Sequence, residues 1–194
     1  MHQYGQFIRQ DGPTQHLTKR GTPTMGGVVI ILATVVAWLI GSVVAGAGPS
    51  WSGLLLIFLF VGLGVIGLLD DGIKIMRQRS LGLHPSGKII GQVAVASLFA
   101  LGTLIKPNEF GEYPGTLAIS FARPTAVTLG FAGLGLGIAL YLIWTNLIVT
   151  AWSNATNLTD GLDGLAAGVS IFVFGAYTFI TYFQRIQACT QLGA

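Results

Sequence analysis

Asn154, Asn157, Asp160 and Asp163 recur at every third position in an otherwise apolar half of the chain. In a helix, neighbours in that series lie about 60° apart and form a slanting polar seam. In a turn, the Asp160-Gly161 and Asp163-Gly164 pairs suit a tight bend. Either geometry gathers amides, carboxylates and a hydroxyl beside glycines that let a ligand approach the backbone. The competing reading is a polar connector between two membrane helices, with Asp163 as an N-cap.

Asp70 and Asp71 are a second cluster, at the end of an apolar run. A helix C-terminus disfavours each carboxylate by about 0.3–1 kcal/mol. Nearer a membrane centre an aspartate costs about 2.5–3.5 kcal/mol. The pair therefore calls for a cation, either Mg²⁺, which prefers oxygen ligands, or the nearby Lys74. A plain interfacial stop signal paired to Lys74 is the simpler alternative. The third cluster is Lys19-Arg20-Gly21-Thr22-Pro23-Thr24-Met25-Gly26-Gly27. Thr22 and Pro23 have the form of a helix start. Exposed N–H groups, hydroxyls and two cations there suit phosphate. The spacing is not that of a P-loop, and an ordinary capped helix with basic flanks would look the same. Lys88 opens another helix and is a further candidate anion contact, or else a topology signal. His16 and His84 read as loop residues.

The elements that must position these groups are membrane helices. Hydrophobic residues make up 52% of the 194 and charged residues 9%, with mean hydropathy +0.71. A soluble domain carries about 25% charge. The fold expected is all-α: one polytopic membrane domain over residues 1–194. Spans are expected at 26–45, 54–69, 89–105, 127–151 and 165–183, each near the ~20 residues that a bilayer requires. Residues 115–121 could pair as a short hairpin. Glycines at 130, 133, 135 and 137 permit close helix packing. The single cysteine excludes an internal disulfide, and a net charge of +3 gives no case for nucleic acid.

Five spans put the connectors on alternating sides. Arg9, Lys19, Arg20, Lys74, Arg77, Arg79 and Lys88 fall on one side; Lys106, Arg123 and Arg185 fall on the other. The richer side is expected in the cytoplasm. All three polar clusters and Lys88 share it. Carboxylates for a divalent cation, basic helix starts and a membrane surface suit phosphoryl transfer from a soluble nucleotide-type donor to a membrane-embedded acceptor.

The motifs at 19–27, Gly-Leu-Leu-Asp-Asp-Gly-Ile-Lys at 67–74 and Asn-Leu-Thr-Asp-Gly-Leu-Asp-Gly-Leu-Ala at 157–166 resemble the phospho-N-acetylmuramoyl-pentapeptide transferase family. That family is a branch of the polyprenyl-phosphate N-acetylhexosamine-1-phosphate transferases. The resemblance spans essentially the whole chain. It implies transfer of a sugar-1-phosphate from UDP-N-acetylmuramoyl-pentapeptide to undecaprenyl phosphate, giving lipid I and UMP. It further implies Mg²⁺, a bacterial plasma-membrane location and a site at the cytoplasmic face. Members are often homodimers, which extends that expectation here.

By the same resemblance Asp70 and Asp71 match the acidic pair, one of which, often argued to be the first, deprotonates or positions the lipid phosphate. They are also the candidate metal ligands. Lys74 follows them, and Lys19, Thr24 and Lys88 match polar positions around the phosphates. Asn157, Asp160 and Asp163 match the nucleotide and active-site cleft, with Asn154 beside them and Asp163 a catalytic candidate. Gly72 stands where members usually carry Tyr or Phe, which is expected to loosen the loop. The family has about ten membrane helices, and this chain matches the second to the sixth. A fragment is therefore expected, without the first helix, a Met-Gly-Asp-Val-Gly-Ser motif and a late histidine-rich motif, and inactive or nearly so by itself. A sister enzyme using UDP-N-acetylglucosamine is the nearest rival, and a non-catalytic scaffold is another. A transporter would need acids at a span centre or an internal repeat, and neither is found.

Overall fold

The computed structural model describes residues 26–46, 48–78, 81–108, 111–120, 124–160 and 164–191. The apolar runs form α1 (Gly26–Val44), α2 (Trp51–Met76), α3 (Pro85–Ile105), α4 (Leu134–Thr159) and α5 (Leu165–Gln191). All five are long and apolar enough to cross a membrane. The only strands among the described residues are β1 (Ala118–Ser120) and β2 (Pro124–Thr128), an antiparallel pair. The all-α architecture is thus present. A short hairpin is present too, but only its first strand falls within residues 115–121; the second lies beyond them, at Pro124–Thr128. The chain divides into two compact units, one ending at Gly115 and one beginning at Thr116.

In the first unit α2 is flanked in contact by α1 and α3. Ser50 caps α2, its hydroxyl accepting from the Gly53 N–H at 3.1 Å. Pro85 opens α3, where its missing N–H has no helical partner to lose. The two helices run antiparallel in a fixed register. Leu55 lies against Gly102, Gly62 against Val95 and Ile66 against Gly91. These approaches are so close that a Cβ on Gly62 would come 2.7 Å from Val95 Cγ1. Ala96 and Ala100, further round α3, are completely buried. Small residues thus let the backbones approach, which is what drives helix association where lipid is as apolar as the side chains. At one end of this hairpin the Trp51 indole N–H donates to the Gly102 carbonyl at 3.2 Å. Lys106 Nζ sits 5.4 Å from the Trp51 ring centroid.

Several span boundaries differ from expectation: α3 begins four residues before 89, and α4 and α5 each run eight residues past 151 and 183. The second span was expected to stop at Asp70-Asp71, but α2 continues five residues past Asp71 to Met76. Lys74, one turn further on, bridges both carboxylates and removes the reason for the helix to end. Gly72 consequently lies within a helix and not in a loop. It costs that helix about 1 kcal/mol relative to alanine, so any loosening acts on α2 itself.

The fourth span was expected at 127–151. Val127 and Thr128 instead belong to β2, a 3₁₀ turn follows at Leu129–Ala132, and α4 begins only at Leu134. Backbone chemistry explains the delay. The Leu129 N–H donates to the Leu117 carbonyl at 2.7 Å, tying the segment to the hairpin. The Thr128 hydroxyl accepts from the Gly130 N–H at 3.1 Å and caps the 3₁₀ turn. Gly133 then reverses the chain at φ 101°, ψ 166°. That conformation is essentially restricted to glycine and costs other residues about 1–3 kcal/mol. Gly133→Ala is therefore expected to lower the thermal midpoint in detergent. Gly135→Ala, in an open helical position, should not. Equal midpoints for both variants would show that the turn relaxes without cost.

Candidate functional site

The acidic pair is organised by its own helix and by the loop that follows. Lys74 Nζ lies 2.7 Å from Asp70 Oδ2 and 2.9 Å from Asp71 Oδ1. Spacings of three and four residues put all three side chains on one face of α2. The environments of the two aspartates differ. Asp70 is 14% exposed and Asp71 is 46% exposed. Asp70 Oδ1 also accepts the Leu83 N–H at 2.8 Å, so both its oxygens are engaged. Lys74 is the one partner of Asp71 among the described residues.

Lys88 lies in the first turn of α3 and is half-buried. Continuing the α2–α3 register by one turn brings Asp70 to the level of Gly87 and Lys88. The acidic pair, Lys74 and Lys88 therefore gather at one end of one helical hairpin. Beside them His84 stands at the N-cap position of α3 with no side-chain bond to the helix backbone, its Nδ1 2.7 Å from the Ser86 hydroxyl. His84 is a helix-boundary residue with a local partner, in keeping with a loop role.

The polar seam belongs to the second unit. Of the two geometries open to it, the helical one holds as far as Thr159, because Asn154 and Asn157 lie in the last turns of α4. Asp160 caps the helix, its N–H donating to the Thr156 carbonyl at 3.1 Å. Asn154 is half-buried and its amide donates to the Thr150 carbonyl at 2.9 Å. Asn157 and Asp160 are exposed. Lys19, Thr24 and Asp163 lie outside the described residues.

Sequence reasoning missed Gly82 and Leu83. Leu83 contributes only a backbone N–H, which leaves no trace in its side-chain identity. Gly82 could have been noticed as a glycine two residues before a histidine-proline helix start. Its reason is steric: a Cβ there would collide with the Asp70 carboxylate and lie 2.7 Å from the Asp70 carbonyl oxygen.

Five bilayer-length helices whose largest side chains are extensively exposed make this a multi-pass membrane protein. Residues 53–192 match the profile of glycosyl transferase family 4, and residues 19–31 match the phospho-N-acetylmuramoyl-pentapeptide-transferase signature 1. The chain belongs to glycosyl transferase family 4. It is 58% identical over 190 residues to a phospho-N-acetylmuramoyl-pentapeptide-transferase of Beutenbergia cavernae, covering 98% of this chain and 53% of the relative. Proteins of that name from Renibacterium salmoninarum and Paenarthrobacter aurescens are 53% and 52% identical over 193 residues. Each match covers 96% of this chain and 52% of the relative. The chain spans about half the length of the curated relatives it matches.

Proposed function

We propose that this chain forms part of a phospho-N-acetylmuramoyl-pentapeptide transferase of the bacterial plasma membrane, with the acidic pair at the cytoplasmic face. In that reaction an oxygen of undecaprenyl phosphate bonds to the β-phosphorus of UDP-N-acetylmuramoyl-pentapeptide. The bond from that phosphorus to the UMP oxygen breaks, the electron pair leaves with UMP, and lipid I remains in the membrane. The observation that carries this reading is the lysine-bridged aspartate pair near the end of a bilayer-length helix, in a chain bearing the transferase signature. The excess of Lys and Arg on that side supports the orientation.

The chain's own residues divide the work by environment. Asp71, half-exposed, has the carboxylate best placed to orient or deprotonate the lipid phosphate. Asp70 stands beside it, and Lys74 holds both against their mutual repulsion. Lys88, Lys19 and Thr24 contact the substrate phosphates. Asn154, Asn157, Asp160 and Asp163 are assigned to recognition of the UDP donor.

No three His, Cys, Asp or Glu side chains form a metal-binding group among the described residues. Mg²⁺ seldom uses such a cage; it takes one or two carboxylates together with waters and substrate phosphates. The hard oxygens of Asp70 and Asp71 fit that pattern, with Asp71 as the more open ligand. Bound there, Mg²⁺ would neutralise charge on the UMP leaving group.

UMP release tests the reading directly. This chain, carried within the full length of its relatives, is placed in nanodiscs with undecaprenyl phosphate and Mg²⁺. Release with the muramoyl donor and none with UDP-N-acetylglucosamine is the expected result. Release with the glucosamine donor alone moves the protein to the sister activity. No release from folded protein with either donor overturns the proposal.

A further inference from the structure

We infer that Gly82 and Leu83 are positioning residues: they form a clasp that fixes the Asp70 carboxylate and with it the acidic pair. The inference deepens the transferase reading and rests on it for its kinetic outcome, though not for its structural one.

The clasp follows from three contacts. The Leu83 N–H donates to Asp70 Oδ1 at 2.8 Å. Lys74 holds the other oxygen, Oδ2, at 2.7 Å. A carboxylate bound through both oxygens from two directions cannot rotate about its terminal bond without losing one of them. Gly82 makes the first contact attainable. Its Cα approaches so closely that a side chain there would collide with the Asp70 carboxylate and crowd its carbonyl oxygen. Position 82 can thus hold nothing larger than glycine while the Leu83 bond stays in place.

The clasp also spans the α2–α3 connection. It ties α2 to the segment leading into Pro85, and so to Lys88 in the first turn of α3. The Trp51–Gly102 bond joins α2 and α3 at the far end of the hairpin; at this end the Leu83 contact sets the angle of the carboxylates. Asp71 shares Lys74 with Asp70, so a shift of Asp70 also displaces the ammonium beside Asp71.

The test has a physical arm and a kinetic arm, both in the full-length protein in nanodiscs. In the first, hydrogen exchange is followed at the Leu83 amide with ¹⁵N-leucine labelling. Gly82→Ala and Asp70→Ala should each speed exchange about tenfold or more, as expected for loss of a hydrogen bond to a charged acceptor. Asp70→Asn keeps an acceptor oxygen and should preserve most of the protection, a rescue that general destabilisation would not produce. In the second, Gly82→Ala should lower kcat at least about tenfold with KM for the UDP donor nearly unchanged, because the displaced group is the carboxylate and not the donor cleft.

Wild-type exchange at Leu83 in both Gly82→Ala and Asp70→Ala would overturn the clasp. Faster exchange with unchanged kcat would overturn its positioning role. The expected exchange pattern in a protein that releases no UMP at all supports the clasp and removes the transferase reading instead.

Discussion

Asp71→Asn is expected to lower UMP release by about 10²–10³-fold, the range typical of removing one preorganised electrostatic group from a reaction centre. The substitution keeps the shape of the side chain and removes its charge. Asp71 is 46% exposed, and its contact among the described residues is to Lys74, so the loss should be chemical and not structural. The thermal midpoint should therefore stay close to wild type. Asp71→Glu restores the charge one methylene further out and should recover part of the rate, with a raised requirement for Mg²⁺. Turnover of Asp71→Asn within about threefold of wild type would exclude the outward carboxylate from the chemistry and leave the role to Asp70. The two aspartates have to be assayed separately, because adjacent carboxylates sharing one lysine respond differently. Asp70 is enclosed by Leu83 and Lys74, and its removal also releases the loop.

The five spans were legible because twenty-residue apolar runs have no other use in a chain this poor in charge. Their ends were less so, and each error has a local cause. Hydropathy alone halts the second span at Asp70, since it cannot register that Lys74 neutralises two carboxylates from one turn away. It starts the fourth span at Val127 because a β-branched apolar residue reads alike in strand and helix. The decision lay with a backbone bond from Leu129 to Leu117 and with the glycine at 133. The acidic pair and the asparagine seam were legible as residue types. The division of environments between Asp70 and Asp71 was not, because it depends on the Leu83 amide. Least visible was the packing face of α3. In water a buried face is marked by apolar residues, whereas in a bilayer the lipid-facing side is apolar too. Only the small residues distinguish it, and Gln92, 1% exposed within the same helix, runs against the usual pattern.

Gly91→Leu combined with Gly102→Leu is expected to separate α3 from α2 and abolish activity. A Cβ on Gly91 would lie 3.2 Å from Ile66 Cδ1, and one on Gly102 would lie 2.5 Å from Leu55 Cδ2, both on α2. The two sites stand on either side of Gly62 and Val95 in the register. Each leucine adds four carbons where even one is crowded. Overpacking of this kind costs about 1–3 kcal/mol per site, and both sites press on the same interface. The change would not be seen in helix content, since leucine is a good helix former and both helices can remain in lipid. It should be seen in proximity. A Cβ built on Gly62 lies 3.6 Å from Val95 Cβ, within the range that a disulfide bridges. In a Cys189→Ser background, Gly62→Cys with Val95→Cys should therefore cross-link readily under mild oxidation. Adding the two leucines should eliminate the cross-link and the UMP release together. Loss of activity with the cross-link intact would mean that the leucines act on something other than the hairpin. Retention of both would mean that the small-residue face does not set the distance between α2 and α3, and with it would fall the argument that helix packing aims the acidic pair.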